Sequence, residues 1–136
     1  MTDVIETHLT TARAARADGR RMDARNAYAQ AAALSREGGH AMLQAHALRH
    51  LSDIDRQMGQ ADAALAHADQ ALALFSAHGG GEGADVPNTL RLKALALDAL
   101  RRRDAAATAW TEARNLYDAL GLAAGVAECE ARLEAE

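Results

Sequence analysis

His46, Arg49, His50, Asp53 and Arg56 crowd ligand-capable side chains into one short stretch of this chain. On a helix, His46, His50 and Asp53 stand at i, i+4 and i+7 and face one way. Two neutral imidazoles and a carboxylate at that spacing can chelate a divalent metal. The metalloprotease form of the pattern needs a Glu beside the first His, where this chain has Ala47, and a further ligand from elsewhere. Three ligands from a single helix also converge poorly. No metal and no cofactor is therefore expected, and a small metal-dependent enzyme built on His46, His50 and Asp53 stands behind readings based on recognition. His46, Arg49, Asp53 and Arg56 step by three, four and three residues, so they form a stripe in their own right.

The remaining candidates for chemistry read as structure. GGGEGAD (residues 79–85) is glycine-rich like a phosphate loop, but it lacks the Lys-Ser/Thr ending and follows no strand, so it reads as a connector. Arg101-Arg102-Arg103 and Arg20-Arg21 fall at helix ends, where cations complement the helix dipole. Ser35, Ser52 and Ser76 have no nucleophile elbow around them. Cys129, the sole cysteine, has no activating neighbour and reads as a half-buried, inert thiol. Trp110 and Tyr117 fall on an apolar stripe and read as core. No catalytic residue is assigned, and the chain is read as a non-enzyme.

The elements that carry these residues follow from composition. A chain of 136 residues suits one domain, 1–136, with a core that needs no staples. Aromatics are 3% of the chain while Ala is abundant, which favours close-packed helices over β-branched strands. The spacing predicts helices over Asp3–Ala17, Met22–Glu37, His40–Met58, Ala61–His78, a fifth from Asp85 to Arg101, Asp104–Leu120 and Ala123–Leu133. Gly19, Gly38-Gly39, Gly59 and Gly121 mark the stops, Asp85 the fifth cap, and Pro87 the fifth first turn. The connections are short enough to make neighbours antiparallel. The net charge of −4 argues against a dedicated nucleic-acid partner, as does the scarcity of stacking aromatics. The opening MTDVIETHL has no basic region before an apolar run, and no segment reaches membrane-spanning length, so a cytoplasmic protein without a membrane partner is expected.

One spacing occurs three times: Gly19…Ala24…Tyr28…Ala31, Gly59…Ala64…Ala68…Ala71 and Arg101…Ala106…Trp110…Ala113. Four- and three-residue steps put each Ala-rich trio on one helical face, where small side chains let backbones approach. Such a hairpin buries its apolar face only against a neighbour, so the copies must stack.

This pattern resembles the tetratricopeptide repeat, whose second helix carries Ala, a large residue four on, and Ala three beyond. The first half of the motif is looser: Leu48, Leu51 and Ser52 fill its slots in the middle copy, and Leu90, Lys93 and Ala94 in the third, while only Ala12 fits in the first. The period is 40 residues from Gly19 to Gly59 and 42 from Gly59 to Arg101, longer than the usual repeat, and the closing Pro is replaced by Arg36, Ser76 and Asp118. The resemblance, to a long-repeat variety, implies an all-α, right-handed α-solenoid: three hairpins over about 5–38, 45–78 and 87–120, plus a capping helix over about 123–135.

The resemblance also implies that the first helix of each pair lines a concave groove for a protein or peptide. It places Glu6, Leu9, Arg13 and Arg16 there, then His46, Arg49, His50, Asp53, Arg56 and Gln57, then Asn88, Arg91, Leu95 and Asp98. Five arginines against three acids give that face a net charge of +2. Guanidinium forks suit carboxylates, so an acidic or carboxylate-bearing segment is the implied ligand. The family's own clamp for terminal carboxylates uses Lys and Asn in slots that hold Leu9 and Arg13 here, so that clamp is absent. The implied role is a non-catalytic scaffold. Self-assembly through the two stack ends, as a homodimer or larger homo-oligomer, is the alternative.

Overall fold

A computed structural model describes residues 2–135 of the chain. Ala-rich runs between glycine stops form seven α-helices among the described residues: α1 (Thr2–Ala17), α2 (Arg21–Glu37), α3 (Ala41–Gln57), α4 (Ala61–Ala77), α5 (Asp85–Ala99), α6 (Arg103–Ala119) and α7 (Ala123–Ala135). The chain is all-helical there, with no strand. The expected boundaries shift by one or two residues at most ends. Asp85 is displaced from its expected cap role. Ala84 is the N-cap, its carbonyl accepting from Asn88 N–H at 2.9 Å, while the Asp85 carboxylate turns back to accept from Glu82 N–H at 2.9 Å.

One stop recurs down the molecule. The residue three beyond the helix end sends its N–H back to a carbonyl five residues earlier: Arg20 to Ala15 at 2.8 Å, His40 to Ser35 at 2.8 Å, Gln60 to Asp55 at 2.7 Å, Arg102 to Leu97 at 2.9 Å and Leu122 to Tyr117 at 2.9 Å. The stop needs one residue at positive φ. Gly59 (φ 81) supplies it between α3 and α4, whereas Arg101 (φ 60) must do so between α5 and α6, carrying a Cβ that this conformation disfavours.

Each helix packs on the next, and α3 also packs on α5. All nine residues of the repeated trios are buried, Ala24, Tyr28 and Ala31 in α2, Ala64, Ala68 and Ala71 in α4, and Ala106, Trp110 and Ala113 in α6. The core forms two clusters. One, running through α1 to α4, includes Ile5, Leu9, Tyr28, Leu48, Ile54 and Phe75. The other, in α5 to α7, includes Leu90, Leu97, Trp110, Tyr117 and Cys129. Val86 touches both, and α4 serves both, with Ala71 and Phe75 in the first and Leu65 and Leu72 against the second.

One expectation about burial needs correction here. Cys129 is fully enclosed rather than half-buried, because α7 docks with that face inward; burial pushes its thiol pKa up, against reactivity. On α6, Trp110 and Tyr117 are buried while Leu116 is 39% exposed. Among the described residues no helix is long and apolar enough to cross a membrane.

Candidate functional site

The side chains of α1, α3 and α5 meet at one cavity of about 170 Å³, lined by Arg16, Arg49, His50, Asp53, Asn88, Arg91 and Leu92. Six of these seven are residues proposed from the sequence. They come from three helices because α3 packs directly on α5 and Arg16 of α1 reaches over to α3.

Each charged group is held by a neighbour, with one exception. Arg16 Nη2 pairs with Asp53 Oδ2, and Arg56 Nη2 donates to Asp53 Oδ1 at 2.7 Å. Burial pushes the Asp53 carboxyl upward, but hydrogen bonds from Arg56 and Arg16 outweigh it and hold the group below the usual carboxylate range. Arg91 grips Glu128 of α7 with two parallel bonds, Nε to Oε1 at 2.6 Å and Nη2 to Oε2 at 3.0 Å. That pair lowers the Glu128 pKa and raises that of Arg91. Arg49 is the exception. Its Nε is buried without a hydrogen-bond partner, and among the described residues no carboxylate pairs with it.

Neutral groups complete the wall. His50 stacks on Tyr28 of α2, ring centroids 4.8 Å apart and 12° from parallel. Burial, then the charges of Arg49 and Arg16, lower its pKa to about 4, so the ring is neutral near pH 7. Arg16 Nη1 lies 3.2 Å from His50 Nδ1, which as the acceptor leaves the ring proton on Nε2. Tyr117 of α6 donates its hydroxyl to Asn88 Oδ1 at 2.6 Å, and burial raises the Tyr117 pKa.

Other sequence candidates lie elsewhere. Arg13 is exposed, its guanidinium reaching back to Thr10 on its own helix. His46, one helical turn before His50, stands edge-on to Phe75 with centroids 5.7 Å apart, its Nε2 3.7 Å from Asp85 Oδ2. Arg56 borders the cavity through Asp53 without lining it. Glu6 and Gln57 are exposed, and Leu9 and Leu95 are buried in the core. Asp98 is turned away from the expected face, accepting from Trp110 Nε1 at 2.9 Å between α5 and α6. The lesser alternative of a metal-dependent enzyme gains no support from the geometry. His46 faces Asp85, His50 Nδ1 faces Arg16 and Asp53 is occupied by two arginines, so the three proposed ligands do not converge. No group of three potential metal ligands comes together among the described residues.

Sequence reasoning missed three supports of the site. Tyr28 and Tyr117 look like core at the level of spacing, and each also holds a cavity residue. Glu128 lies 37 residues from Arg91, a separation no helical period links. Gly125 carried the available signal: a Cβ there would lie 2.5 Å from Tyr117 Cγ, so its hydrogen lets α7 press onto the tyrosine and bring Glu128 within reach of Arg91.

Set against protein-family models and against curated proteins, the chain matches none.

Proposed function

We propose that this chain is a tetratricopeptide-like, right-handed solenoid of three hairpins capped by α7. In this reading it is a non-catalytic scaffold that captures an acidic or carboxylate-bearing segment of a partner protein in a concave groove formed by α1, α3 and α5. The repeated helix stop, the buried Ala trios and the contact of α3 with α5 support the architecture. One observation carries the ligand class: Arg49 lines the cavity with no anionic partner, beside Arg16 and Arg91, against the lone carboxylate of Asp53. Arg49 is half-buried, and its buried Nε is a donor left without a partner; leaving it so is costly, and an incoming carboxylate relieves that cost.

The test is selection from a random peptide display library on the wild-type chain and on R49E, with circular dichroism to confirm equal helicity. Wild type should enrich peptides rich in Asp and Glu or ending in a free carboxylate, and R49E should lose them. Enrichment without acidic bias, or equal enrichment on R49E, would sink the reading.

A second reading, self-association, draws on the exposed leucines near the end of α6 and in the turn after it, Leu116, Leu120 (47% exposed) and Leu122 (42%). Light scattering across concentrations decides it, and a strict monomer excludes it.

A further inference from the structure

The cavity between α1, α3 and α5 offers donors and almost no free acceptors. Asp53 Oδ1 is taken by Arg56 and Oδ2 by Arg16. Both oxygens of Glu128 are taken by Arg91, and His50 Nδ1 faces Arg16. The Asn88 carbonyl is taken by Tyr117, which leaves its amide NH₂ to donate. What remains unspent is the Arg49 fork, that amide and the Nε2–H of His50. An oxygen-rich anion satisfies such a lining; a cation or a neutral acceptor-poor group does not.

Charge narrows the class. Three guanidiniums line the cavity against the single carboxylate of Asp53. Arg56 and Glu128, just outside, offset one another, so two positive charges stay uncompensated. A carboxylate brings one negative charge in a plane suited to one fork. A phosphoryl group on a side chain brings close to two, with three terminal oxygens for the three unspent donors, Arg49 and His50 on α3 and Asn88 on α5. The two guanidiniums on Asp53 blunt its repulsion of a dianion. Size narrows the class again: pockets for whole small ligands run to about 300–1,000 Å³, so a cavity of about 170 Å³ seats a headgroup whose remainder lies outside.

We infer that this cavity is a receptor for a phosphoryl dianion carried by the partner segment, a phosphoserine or phosphothreonine side chain flanked by acidic residues. This rests on the partner-capture reading and specifies its anchor.

The probes are three amide-capped tripeptides, Glu-phosphoserine-Glu, Glu-Ser-Glu and Glu-Glu-Glu, with inorganic phosphate, each titrated calorimetrically. The phosphopeptide should bind at least about tenfold tighter than either unphosphorylated peptide and tighter than free phosphate. Its affinity should rise between pH 5 and 7.5, as the phosphoryl group loses its second proton near pH 6. R49Q should erase the tenfold preference, and R49K, which keeps the charge without the fork, should restore part of it. Equal binding of Glu-Glu-Glu and the phosphopeptide would overturn the phosphoryl anchor while leaving the acidic-segment reading standing. Binding of free phosphate without the phosphopeptide would overturn a peptide-borne group, and binding of none of the four would remove both.

Discussion

Asp53 and Asp55 stand two residues apart on α3, each bonded to arginine, and they serve different ends. Helical geometry turns positions two apart to nearly opposite faces. Asp55 faces the interior at 0% exposure, taking Arg25 Nε from α2 at 2.7 Å and His67 Nδ1 from α4 at 2.8 Å. It ties three successive helices and leaves no oxygen free. Asp53 faces the cavity, bonded to Arg16 and Arg56 beside the unpaired Arg49. One cluster is closed and serves the fold, whereas the other is left with surplus positive charge. A folding site balances its own charges. On the proposed reading, the cavity leaves part of that balance to a ligand.

The largest effect expected from this contrast is on stability. Asp55→Ala strands Arg25 and His67 and should cost about 3–5 kcal/mol in urea denaturation, whereas Asp53→Ala, at a half-buried cluster, should cost about 1 kcal/mol. Equal losses would erase the distinction. Next comes pH. The folded His50 pKa of about 4 lies below the ordinary imidazole value of 6.5, so below pH 6.5 the unfolded chain binds a proton that the folded chain refuses. Stability should therefore fall by roughly 2–3 kcal/mol between pH 6.5 and 4, and His50→Asn should flatten that slope. The depressed Asp53 acts in the same direction at lower pH. Its contribution is present above the ordinary carboxylate range and is lost as pH falls through the folded value.

Smaller effects sharpen the same contrast. Gly125→Ala drives a methyl into the Tyr117 ring and should cost about 1–3 kcal/mol, loosening Glu128 from Arg91 while Asp55 keeps its partners. Hydrogen exchange should rise in α7 and α5 but stay unchanged at the α2–α3–α4 junction. Arg101→Gly relieves a side chain held at φ 60 and should raise stability by about 1 kcal/mol in thermal denaturation, with ligand binding unaltered.

Much of the frame was legible in the chain. Glycine at Gly19, Gly39, Gly59 and Gly121 marked the helix stops, and the Ala-rich trios marked the faces that the structure buries. Periodicity also placed Arg49 and Asp53 on one stripe, and both line the cavity. It extended the same stripe to His46, but one turn of rise carries that ring past the cavity to Asp85. Asp98 shows the other limit. Spacing assigns a residue to a face of its own helix, not the rotation of that helix against the next, and here the rotation presents Asp98 to Trp110. Arg91 with Glu128 and Arg16 with Asp53 are long flexible pairs, 37 residues apart in each case, whose choice of partner depends on packing alone.

Resonances of the arginine Nε–Hε groups, followed while a Glu-rich peptide is titrated in, test the division of labour across α3 most directly. The signal of Arg49 should move and saturate, with Arg16 and Arg91 following, while Arg25, sealed against Asp55, stays fixed. Movement of Arg25 with Arg49 unmoved would contradict the account.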